Sequence, residues 1–220
     1  VRTPNIDSPP ESAQSGNWIF AGHISSAPER LAEYFRSGFE GLISSFEIPD
    51  DEIDYTQVLT DIDAAALVVS AKTGVSQKMI EFWNYLNERQ IPRMVLVNGL
   101  ELSETDFDDI VMIANRVFEE VITPFLVLHD DVGEPIGLIS LADLLIHDYS
   151  NQFPDFYNAD EELTSLVSEF RAEYETQSQL LNEHGFETGL AVPALPVIEN
   201  RKIGINEVAP FLNKIRKNLF

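Results

Sequence analysis

The sequence predicts an α/β domain built on an open, mostly parallel sheet with helices on both faces. Three observations lead there. Residues 64–69 read Ala-Ala-Ala-Leu-Val-Val, apolar without alternation, which suits a strand covered on both sides. Short β-type runs alternate along the chain with segments of helical period. The chain has 220 residues, an apolar fraction of 44% and 14 Phe, enough for one substantial core.

Residues 1–16 hold three Pro, three Ser and a single Ile without period, and read as a flexible tail. Order is expected from Asn17, with a first strand over 18–21. Gly22 to Ser26 is a turn, and Pro28 suits the first turn of a helix ending near Gly38. A second strand over 42–46 leads into an acidic loop and a short helix over 54–62. After the apolar strand, Ser76 caps a helix running to Arg89, with Met79, Ile80, Trp83 and Leu86 inward. The next strand is 93–97, and the following helix offers Ile110, Ile113, Ala114 and Val117 as its apolar face. Strands are expected at 125–128, 136–141 and 190–197. A polar helix is expected over 160–183, with Leu163, Val167 and Phe170 at helical spacing, and a closing helix over 206–218.

Charge excludes several partners. Lys and Arg number 14 against 37 Asp and Glu, a formal balance of −23. Such a field repels nucleic-acid backbones and anionic membranes and favours a protein partner with a basic surface. No apolar run approaches the roughly 20 residues that span a bilayer. The absence of Cys excludes disulfides and thiolate metal sites. With no leader-like start, a cytoplasmic setting is expected.

Several stretches in order resemble the GTP-binding domain of translation elongation factor G. Residues 63–77, D-A-A-A-L-V-V-S-A-K-T-G-V-S-Q, are similar to that family's D-G-A-x-x-V-V-S-A-x-x-G-V-x-x-Q. Trp83 and then I-P-R-M-V-L-V-N over 91–98 continue in register toward the family's N-K-x-D. P-I-G-L-I-S-L-A-D-L over 135–144 resembles the start of the family's insert, expected here at about 129–189. N-R-K-I-G-I over 200–205 resembles the segment before the final helix, and F-A-G-H-I over 20–24 falls where the family has I-x-A-H-I-D-x-G-K-T-T. The resemblance covers residues 17–220 and implies a three-layer, P-loop-NTPase-like G domain. It also implies a β-barrel domain following in a longer chain. Release-factor GTPases share part of the pattern.

The nucleotide-binding motifs depart from the family's. A phosphate loop needs glycines whose N–H groups wrap the phosphates, a Lys reaching them, and a hydroxyl on Mg²⁺. Aligned on His23, the last glycine position is Ala27, the lysine is Pro28, and the hydroxyl positions are Glu29 and Arg30. The family's D-T-P-G-H falls on Glu47, Ile48, Pro49, Asp50 and Asp51. Only Gly38 to Gly41 separate the first helix from the second strand, so the switch loop that closes on Mg²⁺ is expected to be deleted. In the guanine-reading motif Asn98 keeps its place, Gly99 replaces the stacking Lys, and Glu101 stands for the Asp. Gly22, His23, Pro28, Glu29, Asn98 and Glu101 are thus expected as remnants of a site, with no cofactor and no catalytic residue.

Asp50, Asp51, Glu52 and Asp54 lack the D-x-D-x-D-G spacing of a cation loop and read as a solvated acidic surface. They are the first candidates for partner binding, because in a working G domain this region signals the nucleotide state. His23, His129, His147 and His184 lack metal-ligand spacing, so no metal is expected. The resulting expectation is a degenerate, elongation-factor-G-like domain acting as a protein-binding or scaffold module, with a partner that is basic or ribosomal. The alternative is a divergent translational GTPase that binds GTP and Mg²⁺ through other residues.

Overall fold

The computed structural model describes residues 14–182 and 184–217; most of the expected tail, residues 1–13, lies outside them. Five strands form a wholly parallel sheet: β1 (Trp18–Gly22), β2 (Ile43–Glu47), β3 (Ala64–Ser70), β4 (Arg93–Asn98) and β9 (Ala194–Val197). Their order is β2-β1-β3-β4-β9, which puts β3 at the centre. All seven residues of β3 are buried, as its unbroken apolar run requires. Ser15 and Gly16 are already fixed, since Gly16 donates its N–H to the Ile215 carbonyl at 3.0 Å and Ser15 bridges Arg216.

Alternate residues of these strands feed two cores. Ile19, Ala65, Leu67 and Val95 face α3 (Gln77–Glu88) and α4 (Phe107–Val117). Trp18, Phe20, Ala66 and Leu96 face α1 (Pro28–Arg36) and α7 (Ile205–Lys214). The period of two along each strand is what fills both layers. A short helix, α2 (Tyr55–Val58), follows β2 and turns Tyr55 into the first core.

The region between α4 and β9 holds a second sheet. Strands β5 (Phe125–His129), β6 (Pro135–Ser140), β7 (Leu145–Asp148) and β8 (Asp155–Asn158) pair antiparallel in sequence order. Residues 125–128 are therefore the first strand of this sheet, and β7 and β8 had no sequence expectation. The polar helix is two helices, α5 (Glu161–Leu166) and α6 (Ser168–Asn182), divided at Val167, which is buried against Leu126, Ile139 and Ile146. On α4, Ile110 and Ala114 are buried as expected, whereas Ile113 is 38% exposed.

Arg93 is a fully buried cation that the apolar pattern of β4 conceals. Its guanidinium donates to Glu119, to the Asn87 side chain and to the carbonyls of Ile91 and Gly189, both at 3.1 Å. It also stacks 5.1 Å from the Trp83 ring centroid. Three separate segments are thereby tied to one strand end. Removing one member of such a network leaves buried polar groups unpaired, so Arg93→Ala is expected to lower unfolding free energy by about 3–5 kcal/mol. Chemical denaturation of the variant checks this, and a loss below about 1 kcal/mol would contradict it.

Candidate functional site

In an open parallel sheet, ligands bind outside the carboxyl ends of the strands where successive connections diverge to opposite sides. Here β1 leads to its neighbour β2, and the chain then returns past β1 to β3, so that point lies between β1 and β3. The structure brings four sequence-marked segments to this end: the turn after β1, the acidic loop after β2, residues 71–76 after β3, and residues 99–103 after β4.

The turn after β1 is closed on itself. A 3₁₀ turn spans Ile24–Ser26, capped by the His23 side chain, whose Nδ1 accepts from Ser25 N–H at 3.2 Å. Ser26 N–H donates to the His23 carbonyl at 2.8 Å, and Ala27 N–H to the Ile24 carbonyl at 3.1 Å. Pro28 opens α1 and contributes no N–H. Three consecutive backbone donors are thus satisfied within the turn. Ala27 adopts φ 46°, ψ 56°, the left-handed region in which a Cβ is strained. Gly22 is required by close approach, because a Cβ there would lie 2.4 Å from Ser26 Oγ and 2.5 Å from the Val68 carbonyl oxygen.

Polar side chains bridge the crevice. His23 Nδ1 lies 2.7 Å from Ser25 Oγ, which shares a hydrogen bond of 2.9 Å with Thr73 Oγ1 from beyond β3. Asn98, 5% exposed at the end of β4, donates from Nδ2 to the Ser26 carbonyl at 2.7 Å. Glu101 sits in the next 3₁₀ turn, Leu100–Leu102, with one carboxylate oxygen buried and without a hydrogen-bond partner among the described residues. Glu29 is exposed in the first turn of α1, and Arg30 reaches across to Glu199 at 2.9 Å. Gly22, His23, Pro28, Asn98 and Glu101 are therefore gathered at one end of the sheet, with Glu29 following on α1.

The acidic loop starts at that end too, since Glu47 is in register with Gly22 and Ile48 N–H donates to the Gly22 carbonyl at 2.9 Å. Asp50, Asp51 and Glu52 are exposed. Asp54 differs from them: its Oδ1 accepts from Thr56 N–H at 2.9 Å and caps α2. Hydrogen bonding from the Thr56 side chain first, and from its N–H second, holds the Asp54 carboxyl below the ordinary Asp range. Among the described residues no group of three or more His, Asp or Glu side chains is placed to hold a metal ion.

A buried polar cluster was not foreseen. Glu207, 4% exposed in the first turn of α7, accepts from Tyr149 Oη at 2.8 Å and pairs with His147 Nδ1 at 2.6 Å. Burial first, and the Glu207 charge second, push the Tyr149 hydroxyl pKa well up. The cluster ties the second sheet to the core. A scattered His and Tyr with a helical Glu carry no local sequence signal for it.

No protein-family model matches the chain. A solved structure from Thermus thermophilus superposes on 93% of this chain with a TM-score of 0.66 and 18% identity. The chain has a G-domain-like α/β fold. It covers 40% of that Thermus chain. In sequence, 93 residues, or 40% of the chain, are 24% identical to a mitochondrial ribosome-releasing factor 2 of Anopheles gambiae, and the match spans 13% of that protein. The sequence likeness is thus to a translation factor.

Asn98, where the resemblance puts the base-reading Asn, is bonded to the turn after β1. Asn98→Ala leaves the Ser26 carbonyl without its donor, and we expect a stability loss of about 1–3 kcal/mol in the absence of any nucleotide. Thermal and urea unfolding check this. An unchanged midpoint would show that the contact does not hold the turn.

Proposed function

We propose that this chain is a translation-factor-like G domain that does not bind guanine nucleotide and serves as a protein-binding module. The closed turn carries the proposal. The amides of Ser25, Ser26 and Ala27 bond within the turn, Pro28 removes a fourth donor, and no Lys stands at that position. A phosphate loop works by aiming such donors at phosphate oxygens. Glu29 adds a negative charge beside the same spot, and the connection from α1 to β2 is only residues 37–42. The residues present do not fit a nucleotide's phosphates.

The likeness to a protein named as a ribosome-releasing factor supports a setting in translation. The charge of −23 supports a basic partner, met first by Asp50, Asp51 and Glu52 on their exposed loop. Asp54 is assigned instead to capping α2. One observation favours the alternative of a divergent GTPase: Glu101, which the resemblance aligns with the base-reading Asp, keeps one buried oxygen without a partner among the described residues.

Titration calorimetry with GTP or GDP and Mg²⁺ separates these readings. We expect no binding tighter than about 100 µM, roughly −5.5 kcal/mol. A micromolar dissociation constant would overturn the proposal and promote the GTPase. Pro28→Lys alone is expected not to create binding, because the amides of the turn stay engaged. For the partner, an Asp50/Asp51/Glu52→Ala triple variant is expected to release captured ribosomes or basic proteins at lower salt than the unmodified chain. Equal retention by both at every salt concentration would remove the loop from the interface.

A further inference from the structure

A groove of about 360 Å³ lies between α4 and α6, away from the crevice. Its floor is apolar, formed by Val111, Val121, Leu126 and Leu141. Two large side chains stand at its walls without being covered: Met112 of α4, 51% exposed, and Phe170 of α6, 43% exposed. Phe170 belongs to the same helical stripe as Val167 and Tyr174, which pack on the second sheet. The stripe therefore continues past what the fold itself covers. An unpartnered apolar stripe beside an apolar floor is the geometry that receives one face of a helix.

The charge around the groove selects the occupant. Asp108 lines it from α4 and Glu173 from α6. Asp108 is exposed at the groove mouth, and partial desolvation where its carboxyl lies against the groove, then repulsion from Asp106 and Asp109, hold that carboxyl above the ordinary Asp range. Among the described residues the Asp108 carboxylate makes no ion pair or hydrogen bond. The basic side chains nearby are His129, whose field acts to lower the Asp108 pKa, and Arg116, whose Nη2 rests 3.9 Å from Met112 Sδ. Neither pairs with Asp108. A cation brought by a ligand would relieve this carboxyl, while nucleic acid or an anionic membrane would meet the repulsion of the whole chain.

We propose that the groove between α4 and α6 docks a basic amphipathic helix of a partner protein. Apolar anchors at i, i+3 or i+4, and i+7 fill the space between Met112 and Phe170, and a flanking Lys or Arg meets Asp108. This surface extends the protein-binding role proposed above but is separate from the acidic loop, so failure at either leaves the other standing.

The probe is a synthetic helical peptide of about five turns, with Leu at the stripe positions and Lys elsewhere, titrated into the ¹⁵N-labelled full chain. A peptide of identical composition, shuffled to abolish the stripe, reports purely electrostatic adhesion. We expect shifts concentrated at 108–115, 121–126 and 170–177 for the striped peptide. Phe170→Ala and Asp108→Asn should each weaken it about fivefold or more while leaving the shuffled peptide unaffected. The Asp50/Asp51/Glu52→Ala variant should bind the striped peptide as before. Equal binding of the two peptides, shifts spread over the acidic surface, or no binding would each overturn the proposal. Both single variants lie on exposed positions, and far-UV circular dichroism verifies that they remain folded.

Discussion

Burial of β3 on both faces is the constraint from which the rest of the molecule follows. A strand with no solvent face needs a parallel partner on each side and a helical layer above and below. Strands β1 and β4 supply the partners, and α1 with α7 and α3 with α4 supply the layers. Because every strand of that sheet runs the same way, all its carboxyl ends open on one side. The turn after β1, the acidic loop, Thr73 and Asn98 share a neighbourhood for that reason, although 75 positions of sequence separate His23 from Asn98.

What this neighbourhood does is decided by where its hydrogen-bond donors go. In the turn after β1 they go inward, to the His23 ring and to the His23 and Ile24 carbonyls. Asn98 donates to the same turn from β4, so the protein's own groups hold its local shape. Ala27 takes on a left-handed backbone conformation to complete it. The protein-binding role proposed for the chain rests instead on its outer surfaces, through their exposed carboxylates and the exposed apolar side chains Met112 and Phe170.

The central sheet was legible because its signal is local. A run such as 64–69 can bury itself only inside a parallel sheet, and Ser76 and Pro28 mark helix starts by their own chemistry. The second sheet was less so. Strands β7 and β8 are four residues each, and every residue of β8 is exposed, so neither alternation nor an apolar run announces it. The break between α5 and α6 depends on Val167 meeting Leu126 and Ile146, contacts between distant segments. At the site, the residues that depart from the family's nucleotide motifs could be named from sequence alone. The engagement of the Ser25, Ser26 and Ala27 amides could not, since it is a property of backbone geometry. The cap role of Asp54 was likewise hidden inside a run of like residues.

The most direct test observes those amides themselves. In ¹⁵N spectra of the full chain, GDP and Mg²⁺ titrated to about 1 mM should produce no saturable shift of Ser25, Ser26, Ala27 and Asn98 with a midpoint below about 100 µM. Saturable shifts confined to these residues and Glu101 would mean that the turn opens to receive phosphates, and that the site still reads a nucleotide.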